Sequence, residues 1–294
     1  MPEIIDCHAN LGWDASNLRK NLIPTQQSYT ALLEKMDDNN ISKAVIMPFP
    51  SPGGQFNPNA FWYDLENHHL MQASRYSKRL IPFPGVNPND EKSVRNINTL
   101  AISFNIKGVK FSHQTPMKFS IEQLINHPLM KIVQDNNLVF MIHIGTGKEP
   151  GAQHYHTTLN YAIKVAKHYP DVKFIFCHLG RLHRSLIEAL NMENVHLDTS
   201  ALSMHANWKQ FIAFEPMPMF KSSMPLDVIE KLVNIGYEDK IIFGSDEPYT
   251  DYKSEISVIE KAEISESAKR KIFHENVKKL LRLGGGEGLE GLND

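Results

Sequence analysis

Cysteine is nearly missing from this sequence: 294 residues contain two, Cys7 and Cys177. So few exclude a disulfide-stapled scaffold and fit a reducing, cytoplasmic compartment. An excess of one charge is missing too. With 31 Lys and Arg against 33 Asp and Glu, the formal net charge is −2, which gives no field to attract nucleic acid or an anionic membrane surface. No apolar run approaches the roughly 20 residues of a membrane span. The opening MPEIIDCHAN lacks the basic and apolar regions of a signal peptide. After the first strand-like run stands LGWDASN, not G-x-G-x-x-G, so the phosphate turn of a dinucleotide-binding sheet is absent there. The expected partner is a small-molecule substrate, with no nucleic acid and no membrane.

Histidine is what the chain has in quantity, 14 residues, and their placement follows the chain's organisation. Eight short apolar runs, rich in Ile, Val and Phe, fall at 4–10, 41–47, 79–86, 106–111, 138–144, 172–178, 195–199 and 240–244. Stretches of helical spacing lie between and after them; in 90–104, Val94, Ile97, Leu100 and Ala101 share one face. Eight strand–helix repeats without a long linker predict α/β architecture, a single (β/α)8 TIM barrel over residues 1–283. The Gly-rich tail, 284–294, is expected to be disordered.

Side chains alternate along a strand, so Asp6, His8 and Asn10 are expected on one face of the first run, and Cys7 and Ala9 on the other. Three buried polar groups are costly unless something binds them. A hydrogen-bonded core histidine capped by Asn would serve as well as a metal ion. The other strand ends favour the metal: His143 ends the fifth run, His178 the sixth, and Asp246 follows the eighth in IIFGSDEPY. The C-terminal strand ends of a barrel share one mouth, where barrel active sites sit. By the same alternation Cys7 and Cys177 are read as packing residues between strands and helices, neither a disulfide pair nor nucleophiles.

The runs IIDCHAN, GVKFSH, FMIHIGTG, FIFCHLGR, VHLDTS and IIFGSDEPY, in this order, resemble the amidohydrolase-related (type 2) family of metal-dependent hydrolases and decarboxylases. The late HENVKKLLRL fits that family's closing helix, so the resemblance extends to about Leu283. It implies that His8, His143 and Asp246 hold one divalent metal, most often zinc, with His178 beside it to activate water or polarise substrate. It also makes a homodimer plausible. Lys110 lies on the fourth strand, where some relatives carry a carboxylated lysine between two metals. Here it is read as a substrate contact or a buried, paired lysine. One departure stands out: the family's His-x-His becomes His8-Ala9-Asn10 here, and Asn10 is a neutral donor and a poorer zinc ligand than imidazole. A weaker zinc site with Asn10 as a ligand, a site suited to manganese, and an empty site all stay open.

Other candidates are less specific. Arg181 suits a bidentate grip on a substrate carboxylate or a surface salt bridge. Trp13, with Phe61 to Tyr63, is a candidate aromatic wall for substrate. His113, Lys148, His154, His156 and His205 fall in loops after strands. The apolar stretch 200–220 reads as a lid, a dimer contact or a helix with a buried face. Asp246 next to a metal-activated water could accept and relay its proton, while His178 stabilises the oxyanion. Hydrolysis of an amide, ester or lactone is therefore the first expectation. A non-oxidative decarboxylase of aromatic or unsaturated carboxylic acids is the alternative, and a metal-free binding or scaffold barrel is the reading from another class.

Overall fold

A computed structural model of the chain describes residues 3–14, 25–49, 63–112, 119–145, 159–203 and 225–283. Its strands are β1 (Ile4–Asp14), β2 (Thr25–Gln27), β3 (Ile41–Pro48), β4 (Leu80–Pro82), β5 (Gly108–Phe111), β6 (Val139–Ile142), β7 (Phe174–Phe176), β8 (Val195–Asp198) and β9 (Ile241–Ile242). They form two hydrogen-bonded groups, β2-β1-β3-β4 and β5-β6-β7-β8-β9. Every pairing except β1 with β2 is parallel.

Backbone hydrogen bonds join the groups on both sides. Lys110 N donates to Pro84 O at 2.9 Å, and Val86 N donates to Lys110 O at 3.3 Å. Opposite, Cys7 N donates to Phe243 O (3.0 Å), Asp246 N to His8 O (2.8 Å) and Asn10 N to Glu247 O (2.8 Å). The parallel strands thereby close on themselves as a TIM barrel, as the sequence predicts. The antiparallel β2 is an addition. Its sequence, TQQ, carries no apolar alternation, and it exists by pairing Gly12 with Gln27 and Trp13 with Gln26.

The sequence dictates the helices through caps and apolar faces. Ser28, Asp90, Asp251 and Ser265 each accept a backbone N–H at a helix start, each cap worth about 1 kcal/mol. In the helix Glu91–Phe104, Val94 and Ile97 are buried, with Leu100 and Ala101 packed beside them. Outward strand residues such as Ile46, Phe140, Phe176 and Leu197 pack in the same layer. A second, smaller cluster fills the barrel with Ile5, Val45, Met47, Phe83, Met141 and Ile175. Among the described residues no helix is long and apolar enough to cross a membrane.

Cys7 and Cys177 do not face the helices as expected; both belong to the interior cluster and are free thiols. The reason is local. Opposite Ala44 and Ile46 of β3, β1 runs from Asp6 to Ala9, one residue more than its partner, and this bulge shifts the alternation. Cys7 therefore lies inside with Ile5, and Ala9 and Leu11 lie outside. Asp6 parts from His8 and Asn10: it accepts from Ser245 N (2.9 Å), Ser245 Oγ (2.7 Å) and His8 N (2.9 Å) as a tie between the first and last strands. Beyond β7, Cys177 keeps the inward phase of Ile175, and His178 breaks it by adopting a left-handed φ of 60°.

Candidate metal centre

The β1 bulge and the ends of β5, β8 and β9 bring His8, Asn10, Lys110, Asp198 and Asp246 together. His8 Nδ1 is 2.8 Å from Asp198 Oδ2. Its other nitrogen, Nε2, is 3.4 Å from Asp246 Oδ1 and 3.4 Å from Lys110 Nζ. Asn10 Nδ2 donates to Asp246 Oδ1 at 3.0 Å and to Glu247 O at 3.3 Å. Lys110 Nζ donates to Cys177 Sγ at 3.0 Å. Asp246 has a φ of 69°, a left-handed conformation that is uncommon outside glycine and frequent at functional sites.

On the adjoining strands His178 Nε2 stands 3.2 Å from His143 Nδ1. The His178 ring lies 5.3 Å from that of His8 and 4.9 Å from that of His143, centroid to centroid. Residues from His178 to Leu182 all have positive φ, a tight left-handed turn that L-residues resist. Asp198 Oδ1 holds its start, accepting from His178 N at 2.7 Å.

Burial and charge act in opposite directions here. Burial and the Lys110 ammonium oppose protonation of His8, but the Asp198 carboxylate outweighs them and raises the pKa to about 10. Burial would raise Asp198, yet His8, Lys110 and Ser200 hold it well below the usual carboxylate range. For His178 burial dominates, followed by Arg181 and the neighbouring histidines, and its pKa falls well below the ordinary imidazole value.

The structure thus gathers His8, Asn10, Lys110, His143, His178 and Asp246. Arg181 Nε donates to Ile144 O at 3.1 Å, next to this group. Trp13, on the same strand as His8 and Asn10, is 53 % exposed, its indole donates to Gln26, and it lines a groove of about 540 Å³ with Glu66 and His69. His113, Lys148, His154, His156, His205, Phe61, the stretch 204–220 and the tail 284–294 lie outside the described residues. Asp198 and Ser200 were not singled out by sequence reasoning. The signal was present in VHLDTS, where polar residues follow the buried Val195 and Leu197 at a strand tip.

The His8 and Asp246 pair fits one divalent ion. Two ligands about 2.1 Å from a tetrahedral ion stand about 3.4 Å apart, the separation of His8 Nε2 and Asp246 Oδ1. A ligating histidine usually gives its other N–H to a carboxylate, as His8 does to Asp198. His8, Cys177 and Asp198 also lie within 4.8 Å of one another. Both Asp198 oxygens are already engaged, by His8 on one side and by His178 N and Ser200 on the other. Asp198 is therefore an outer partner of the site, and Asn10 in this arrangement orients Asp246 through its amide N–H.

A family model described as "Amidohydrolase" matches residues 5–283. The chain belongs to the amidohydrolase family. No curated protein matches its sequence. Solved structures share its fold at low identity. A 2,6-dihydroxybenzoate decarboxylase from Rhizobium is 14% identical with a TM-score of 0.71, covering 97% of this chain and 100% of the other. A dihydroxybenzoic acid decarboxylase from Polaromonas sp. JS666, with bound manganese and 2-nitroresorcinol, is 15% identical with a TM-score of 0.69, covering 99% and 100%. The "probable 2-pyrone-4,6-dicarboxylic acid hydrolase" of Acinetobacter baumannii, with citric acid bound, is 15% identical with a TM-score of 0.64, covering 95% and 99%. This chain thus has a barrel fold shared by decarboxylases and hydrolases, and a donor cluster at its strand ends.

Proposed function

We propose that this chain is a divalent-metal-dependent enzyme acting on a small carboxylate-bearing molecule, and that its reaction is non-oxidative decarboxylation of an aromatic or unsaturated acid. The observation that carries the reading is Lys110. Its side chain is buried, its contacts are His8 Nε2 and Cys177 Sγ, and no described carboxylate lies within ion-pair distance of its ammonium. Asp198 acts on this ammonium only from beyond contact distance; a buried cation with no anion in direct contact is costly, and a substrate carboxylate would balance it. With a divalent ion in place and His8 neutral, the positive charges outnumber the carboxylates of Asp198 and Asp246. An anion is the substrate this balance favours.

His8, His143 and Asp246 would hold the ion, with Asn10 at its edge; manganese suits this oxygen-richer set and zinc is the other candidate. When bound, the ion would supply Lewis-acid polarisation of a substrate oxygen. Lys110 would orient the carboxylate, and Arg181 would contribute a second cationic contact. Decarboxylation breaks the bond between the ring carbon and the carboxylate. Carbon dioxide leaves, and a proton takes its place on carbon. Asp246, its side chain 14% exposed between His8 and Asn10, would take up a proton from solvent and pass it to the ring carbon. The relatives add support, since two of those named act on dihydroxybenzoates. Hydrolysis of a lactone or ester carrying a carboxylate is the second reading, favoured by the likeness to the 2-pyrone dicarboxylic acid hydrolase.

The test is a substrate panel of hydroxybenzoates and pyrone carboxylates with manganese present, following carbon dioxide and ring products. The expected outcome is release of carbon dioxide from a hydroxybenzoate, with KM raised at least tenfold by Lys110→Met. Ring opening of a pyrone without carbon dioxide would shift the assignment to the hydrolase. Turnover of uncharged esters with no effect of Lys110→Met would overturn the carboxylate reading.

A further inference from the structure

Resting on the metal-enzyme reading, we infer that His178 is a positioning residue: it accepts the Nδ1 proton of His143 and so keeps the Nε2 lone pair of His143 available to the metal. The argument is a count of protons. Ser200 Oγ lies 2.5 Å from Asp198 Oδ1 and 2.9 Å from His178 Nδ1. A serine hydroxyl has one proton to give. Asp198 Oδ1 is a pure acceptor that also receives His178 N at 2.7 Å and Ser200 N at 3.1 Å, so the Ser200 proton is directed to it. Towards His178 the hydroxyl then offers only a lone pair. The backbone oxygen of Ser200, 3.1 Å from the same Nδ1, is a second acceptor.

Facing two acceptors, His178 Nδ1 carries the ring proton. In the neutral imidazole Nε2 is then bare and can only accept. Its partner is His143 Nδ1 at 3.2 Å, which must supply the hydrogen. His143 in turn, with its proton on Nδ1, has its lone pair on Nε2. The chain Asp198–Ser200–His178–His143 orders one histidine, and the other oxygen of Asp198 holds His8 Nδ1 directly at 2.8 Å. A single buried carboxylate thus orients two proposed ligands from opposite sides. This differs from the expectation that His178 donates to a substrate oxyanion, because no proton resides on the nitrogen that would do so.

The ring nitrogens can be read directly by NMR of the metal-free protein labelled with ¹⁵N-histidine at neutral pH. Assignment uses single His178→Phe and His143→Gln variants. The inference expects His178 and His143 both as Nδ1–H tautomers. A proton on Nε2 of His178 would overturn it. In parallel, manganese titration compares wild type, His178→Phe and His178→Gln, with circular dichroism as a check of folding. Loss of an outer hydrogen bond of this kind lowers metal affinity by roughly 10–100-fold, so His178→Phe should fall in that range. His178→Gln, whose amide oxygen can accept from His143, should recover part of it. Unchanged affinity in a folded His178→Phe protein would also overturn the inference while leaving the metal reading intact. If the wild type binds no metal, the metal reading fails, and the nitrogen shifts still decide the proton order.

Discussion

His8 is where the competing forces meet. It stands between two carboxylates, with Asp198 at 2.8 Å and Asp246 at 3.4 Å, and its pKa rises to about 10 in the metal-free chain. A raised pKa has a definite sign. The stabilisation from the charged His8 is complete below its ordinary value near 6.5 and is lost as the pH climbs through about 10. The same proton competes with a metal for Nε2, so binding must release it. Manganese affinity is therefore expected to strengthen from pH 6.5 to 9 while the metal-free protein loses stability over that range. Titration calorimetry and urea unfolding at several pH values measure both. An affinity that is flat or weakens with pH would show that His8 does not carry the competing proton.

At the scale of elements, most of the barrel was legible because parallel strands are buried on both faces and read as continuous apolar runs. ISKAVIM lies on β3, and LVFMIHI and VKFIFCH contain the shorter β6 and β7. Three features were not legible. The strand β2 depends on its partner β1 rather than on its own residues. The β1 bulge depends on register with β3, and it changes which side Asp6 and Cys7 occupy. The role of Asp198 depends on reach across the barrel to His8, which no local spacing reveals. Strand packing also sets a limit on Gly108, at the start of the strand that carries Lys110. A Cβ there would lie 2.4 Å from the Phe83 ring and 2.6 Å from Val139 O. Gly108→Ala should cost about 1–3 kcal/mol by overpacking, read from urea denaturation. A shift smaller than a few tenths of a kcal/mol would mean that the strands separate there more easily than the close contact implies.

Across the whole molecule, closure of the barrel is what makes a site. Residues 8, 143, 198 and 246 are remote in sequence, and only the circular order of strands places them around one mouth. The left-handed turn at His178 and the left-handed Asp246 lie at these same ends, where the surrounding hydrogen bonds can support conformations that are unfavourable alone. The family explains the barrel, and the Asn10 departure makes the metal the central claim. That claim is tested most directly by titrating manganese(II) into the chelator-stripped protein, for the wild type and for folded His8→Ala and Asp246→Ala variants. The account predicts one ion per chain in the wild type and loss of that binding in each variant. No binding by the wild type, or unchanged binding in both variants, would contradict it.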